Sequence, residues 1–146
     1  MPVHFTSSFE LKIDPKHRLF IPVEVRKAID QANGGAAVYV FLGPNCVPRL
    51  YPEKAYEVLL DQVPMKITKD PAYARLVNAM FSLSTKLPWD EQGRILLPEA
   101  IVTGGKTGKE VTLAGCGDHL QIWNREAWRT NAQDIVARMD EIWPNN

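Results

Sequence analysis

A chain of 146 residues can bury a core and has the size of one compact unit built from two small lobes. Its 17 lysines and arginines balance 17 aspartates and glutamates, which argues against a strongly basic nucleic-acid binder and leaves only a local charge gradient to look for. No apolar run approaches the roughly 20 residues of a membrane span, and the N-terminus lacks a signal peptide's basic start and apolar core, so the expected place is the cytoplasm, with no membrane partner.

Phe9, Leu11 and Ile13 alternate with Glu10, Lys12 and Asp14, a period of two that predicts a half-buried strand over 9–14. Asp14 and Pro15 predict a turn, because Asp bonds the backbone ahead of it and Pro fixes the first corner. Leu19-Phe20-Ile21 reads as the return strand. Pro22 stops it and opens a short helix that ends at Asn33-Gly34-Gly35. In that helix Val23 and Ile29 give an apolar side, Arg26 and Lys27 a basic one. Strands over 37–42 and 47–51 flank a Gly43-Pro44-Asn45 turn, and Pro52 starts a helix with Tyr56, Leu59, Leu60 and Val63 on its apolar stripe. Residues 71–82 read as an amphipathic helix. A second series follows: strand 87–89, turn 90–93, strand 95–97, a helical piece 98–102, and a hairpin of 111–114 and 120–123. Beyond it, Trp128, Ala132, Ile135, Val136, Met139 and Ile142 recur at three and four, which predicts a helical tail whose apolar stripe needs a partner.

The two series are copies. Aligned without a gap, 11–22 and 87–98 share Leu, Asp, Arg and Pro at the same four places, with three large apolar residues between Arg and Pro. Tyr51 to Tyr56 then lies over Trp123 to Trp128. The offset drops by four, which puts the extra residues of the first copy in a loop around 31–36. The boundaries drawn this way are 8–56 for the first repeat, 57–84 for a helical connector, 85–128 for the second repeat and 129–146 for the tail.

Chemistry concentrates in Asp14-x-x-x-Arg18 and Asp90-x-x-x-Arg94. One reading is structural: Asp caps the turn and Arg closes an ion pair across it. The other is functional: a guanidinium anchored at a hairpin tip can grip a phosphate at two points or read a guanine edge. Around the first motif Lys12, Lys16, Arg18, Arg26 and Lys27 outnumber Glu10, Asp14 and Glu24, with His17 adjacent; around the second, acids prevail. If one face meets a polyanion, the first copy should carry it. Cys46 and Cys116 lack metal-ligand spacing and read as free thiols, buried or half-buried, with no metal and no cofactor implied. His119, beside Asp118 at a hairpin tip, reads as a solvated surface histidine. No phosphate loop, Gly-x-Ser-x-Gly, His-Glu-x-x-His or Cys-x-x-Cys is present, so an enzyme is not expected.

Asp14-Pro-Lys-His-Arg18-Leu-Phe-Ile-Pro22 and Asp90-Glu-Gln-Gly-Arg94-Ile-Leu-Leu-Pro98 resemble the two Asp-x-x-x-Arg motifs of the MraZ family. Tyr51-Pro52-Glu53 with Tyr56, and Trp123 with Glu126-Ala127-Trp128, resemble the strand-to-helix exits of its two copies. The resemblance implies an α+β, β-rich fold of two tandem SpoVT/AbrB-type swapped-hairpin repeats, an intrachain pseudo-dimeric barrel with peripheral helices. It implies a transcriptional regulator of the bacterial division and cell-wall gene cluster, nucleoid-associated, whose homo-oligomeric rings bind direct repeats in double-stranded promoter DNA. The family's motif arginine carries over to Arg18 and Arg94, and its basic residue before Gly to Lys16; with His17 and Lys12 these are the candidate DNA-binding residues. The first tip is assigned to DNA and the second mainly to fold and assembly. His17 departs from the family, which has Gly there, and implies a backbone cost if that position needs positive φ. Two rivals share the fold: an antitoxin-like protein-binding subunit, and a divergent paralogue that no longer binds DNA.

Overall fold

The computed structural model describes residues 3–62 and 70–144; Val63, expected on a helical stripe, lies outside them. The first copy runs β1 (Ser8–Lys12), β2 (Arg18–Phe20), α1 (Val23–Gln31), β3 (Ala37–Leu42), β4 (Pro48–Pro52) and α2 (Glu53–Gln62). Helix α3 (Pro71–Leu83) follows, capped by the Asp70 carboxylate, which accepts from the N–H of Ala72 and of Tyr73, with Pro71 in the first turn. The second copy is β5 (Thr85–Pro88), β6 (Arg94–Leu96), α4 (Glu99–Gly104), β7 (Glu110–Gly115) and β8 (Leu120–Asn124). Asn124 then caps α5 (Arg125–Ala137), and a short α6 (Met139–Ile142) completes the described tail.

Strand pairing crosses between the copies. One antiparallel sheet has the order β1-β7-β8-β4-β3-β5, and β2 pairs only with β6 in a separate two-stranded ribbon. Strand β1 of the first copy thus lies on β7 of the second, with Phe9 opposite Leu113, while β5 of the second lies on β3 of the first, with Val38 opposite Leu87. In the ribbon Arg18 faces Leu96, Leu19 faces Ile95 and Phe20 faces Arg94, a register symmetric about Leu19 and Ile95.

These strands do not close into the expected barrel. The six-stranded sheet is open, with β1 and β5 as its edges. The physical cause lies in the hairpins. Beyond the single Ile13–Leu19 bridge, β2 leaves the β1 ladder, and Pro22 and Pro98, which have no N–H to donate, end β2 and β6 after three residues. The length difference between copies also sits elsewhere than in the 31–36 loop. Helix α1 has nine residues against six in α4, so most of the extra chain is helical, and the remainder falls at the β3–β4 turn.

One core joins both copies. Leu19, Ile21, Leu50, Ile95, Leu97, Leu113, Leu120 and Ile122 are buried to 2% exposure or less, each stabilising the fold by roughly 1.5–3 kcal/mol. Val25 and Ile29, four apart, turn one side of α1 onto it, as Ile101 does for α4. A smaller cluster of Phe41, Tyr51 and Tyr56 seats α2 on β3 and β4, with Tyr39 stacked on Tyr56. His119 corrects the expectation of a solvated side chain. It is buried and stacked on Tyr51; Nδ1 lies 2.7 Å from an Asp118 carboxylate oxygen and Nε2 3.1 Å from the Gln121 amide. Both cysteines are free, and Cys46 is exposed rather than buried.

Candidate nucleic-acid interface

The two Asp-x-x-x-Arg motifs build the same turn twice. Asp14 Oδ1 accepts from the backbone N–H of Lys16 at 2.9 Å and of Arg18 at 2.8 Å, and Oδ2 accepts from Arg18 Nε at 2.6 Å. Asp90 Oδ1 accepts from Gln92 at 2.9 Å and Arg94 at 3.0 Å, and Oδ2 from Arg94 Nε at 2.9 Å. The backbone N–H of the arginine, foremost, and its side-chain bond hold each carboxyl below the usual aspartate range. Both ionised carboxylates therefore fix the Nε edge of an arginine and leave its outer Nη edge for other contacts.

The residue before each arginine has a left-handed backbone, with φ +64° at His17 and +81° at Gly93. The position does need positive φ, and His17 meets that need with a β-carbon present. Each tip is also tied to the opposite hairpin: His17 O accepts from Leu97 N and Gly93 O from Ile21 N, both at 2.8 Å. The tips are thus held at the two ends of the β2–β6 ribbon.

Alternation along the ribbon separates its faces. Leu19 and Ile95 point inward and are fully buried, so Arg18, Phe20, Arg94 and Leu96 share the outer face. Phe20 is 40% and Leu96 61% exposed. The outcome is an apolar patch flanked diagonally by two anchored guanidiniums.

Arg26 on α1 joins this face. Its Nε donates to Ile21 O at 2.9 Å, and its guanidinium lies over the Phe20 ring, 5.5 Å from the centroid. It also covers the second tip: a β-carbon added at Gly93 would meet Arg26 Cζ at 2.6 Å.

The comparisons with known proteins agree with one another. A family model described as "MraZ protein, putative antitoxin-like" matches residues 80–144. A "Transcriptional regulator MraZ" of Marinobacter nauticus is 30% identical over 143 residues, covering 97% of this chain and 93% of that protein. The chain belongs to the MraZ family. Proteins of the same name from Pediococcus pentosaceus, 29% identical with 97% and 95% covered, and from Neisseria meningitidis serogroup C, 30% identical with 94% and 89% covered, extend the match.

Of the MraZ-like site residues expected from sequence, Arg18 and Arg94 come together on one ribbon face. Lys16 is exposed at the first tip and His17 half-buried beside it. Lys12 stands apart, on β1 of the six-stranded sheet and registered opposite Glu110. Arg26 was visible in the sequence only as the basic side of a helix. Its approach to Gly93, in the other copy, has no local signal. It also alters the charge balance, because the acidic second tip receives a cation from the first copy.

Proposed function

We propose that this chain is a sequence-specific, DNA-binding transcriptional regulator that applies the outer face of the β2–β6 ribbon to double-stranded promoter DNA. The observation that carries the reading is the pair of arginines, Arg18 and Arg94, each held at Nε by its own aspartate and both on one exposed face. A two-stranded ribbon fits the major groove, and a guanidinium oriented beforehand loses less entropy on docking. Lys16 and His17 add to the first tip. The relatives' name, transcriptional regulator, supports the same role.

Several finer features belong to the proposal. The crossed pairing of β1 with β7 and β3 with β5, and the symmetric ribbon register, support two tandem SpoVT/AbrB-type halves arranged as a pseudo-dimer. The chain acts as a homo-oligomeric ring on direct repeats upstream of division and cell-wall genes, and several weakly binding subunits gain affinity by multivalency. The work is done at the nucleoid in the cytoplasm. Among the described residues no helix is long and apolar enough to cross a membrane.

The test is titration of wild type, Arg18→Ala and Arg94→Ala against the DNA upstream of the chain's own gene at two salt concentrations. Each variant should bind more weakly and lose about one phosphate contact's worth of salt slope. Equal affinity for wild type and Arg18→Ala would remove Arg18 from the interface. A folded wild type that binds no DNA at low salt would favour the divergent paralogue that no longer binds DNA.

A further inference from the structure

We infer that Arg26 is a third DNA-contacting guanidinium, and that the second tip is a composite phosphate site built by both copies: Asp90, Gly93 and Arg94 from one, Arg26 from the other. The inference rests on the DNA-binding reading of the ribbon.

Three observations carry it. The first is confinement. Arg26 Nε is tied to Ile21 O, and the guanidinium is laid over Phe20, so the side chain is held in place at the ribbon's outer face. The second is fit. The buried Gly93 has no side chain where Arg26 Cζ and Nη2 sit, 2.6 and 2.8 Å from the position of a β-carbon. The third is charge. Among the described residues Arg26 has no carboxylate partner, unlike Arg18, Arg94, Arg129 and Arg138, each of which is paired.

A guanidinium in that position is poorly explained as an ion-pair element and well suited to an anion. Its Nε is used within the protein, while its guanidinium covers Gly93, the residue before Arg94, whose own Nε is held by Asp90. Two guanidiniums brought to one tip can share a phosphate, which neither the second tip's local sequence nor its Glu91 would favour. The equivalent of Arg26 in the second copy is Val102, so the first tip has no equivalent arginine from the other copy and relies on its own Lys16 and His17. The two tips thus reach a similar cationic count by different routes.

The experiment compares wild type with Arg26→Gln, Arg26→Lys, Arg94→Ala and the remote control Arg138→Gln. It measures affinity for double-stranded DNA across a salt series together with the thermal midpoint of each free protein. Arg26→Gln should bind about tenfold more weakly, with the slope of log affinity against log salt reduced by about one. Arg26→Lys should restore the slope, because the charge returns although the Nε bond to Ile21 does not. Arg138→Gln should leave the slope unchanged. A purely structural Arg26 would lower the thermal midpoint in both Arg26 variants and leave the slope at its wild-type value; that result, with Arg94→Ala still reducing the slope, overturns the composite site while keeping the ribbon. A folded wild type with no DNA binding overturns the ribbon reading itself.

Discussion

His17 and Gly93 occupy one position in two equivalent turns and meet its left-handed backbone in different ways. At φ +64° the β-carbon of His17 costs about 1–2 kcal/mol. Glycine would remove that cost but add about 0.5–1 kcal/mol of unfolded-chain freedom. His17→Gly should therefore stabilise the protein by up to about 1 kcal/mol. Gly93→Ala meets both φ +81° and the Arg26 guanidinium, and should destabilise by about 1–3 kcal/mol. Urea midpoints at unchanged slope check both; shifts of the same sign would refute this account. The turn chemistry of Asp14 and Asp90 was legible because every partner lies within four residues. Arg26 was not, since what gives it meaning is an empty space beside a glycine in the other copy.

At the scale of the element, each hairpin tip is a carboxylate folded around its own backbone, which makes it sensitive to acid. Both aspartates titrate below their ordinary value of 3.8 in the folded protein. An unfolded aspartate takes up its proton first as pH falls. The stabilisation is then complete above the ordinary aspartate value and is lost as pH drops through the lowered one. Denaturant unfolding from pH 7 to pH 3 should show an acid limb beginning near about pH 4. The double variant Asp14→Asn, Asp90→Asn should be less stable at neutral pH and show a flatter limb. An undiminished limb in that variant would move the acid response elsewhere. The elements themselves were largely readable, since alternation, Pro22 and Pro98 mark the strands and their stops. Their lengths were less so: α1 ends at Gln31, just ahead of the Asn33-Gly34-Gly35 stop that marks its end in the sequence, whereas its counterpart α4 has only six residues.

For the whole molecule, the sequence shows two similar series of elements but not how they pair. Which strand lies on which depends on contacts far apart along the chain, so the expected barrel gave way to an open sheet with a detached ribbon. The surface also carries apolar side chains on which the proposed assembly would draw. Leu76 and Leu83 on α3, and Val136, Ile142 and Trp143 in the tail, are large apolar side chains more than half exposed. Sedimentation of the wild type at micromolar concentration should give a species larger than the monomer. The double variant Ile142→Asp, Trp143→Ser should shift it toward monomer without loss of helix or sheet signal. A wild type that sediments only as monomer would remove the ring and its gain by multivalency.

The crossing of β1 onto β7 has a consequence for synthesis. The partner of Phe9 is Leu113, made roughly a hundred residues later, which is on the order of ten seconds of translation. During that interval β1 and the β2 tip are without their partner strands, β7 and β6. The nascent first copy must therefore wait with an unsatisfied edge, and neighbouring ribosomes on one message offer it the β7 of another chain. Slowing elongation before residue 110 should lengthen that wait and increase exchanged, chain-to-chain pairing at the expense of pairing within one chain.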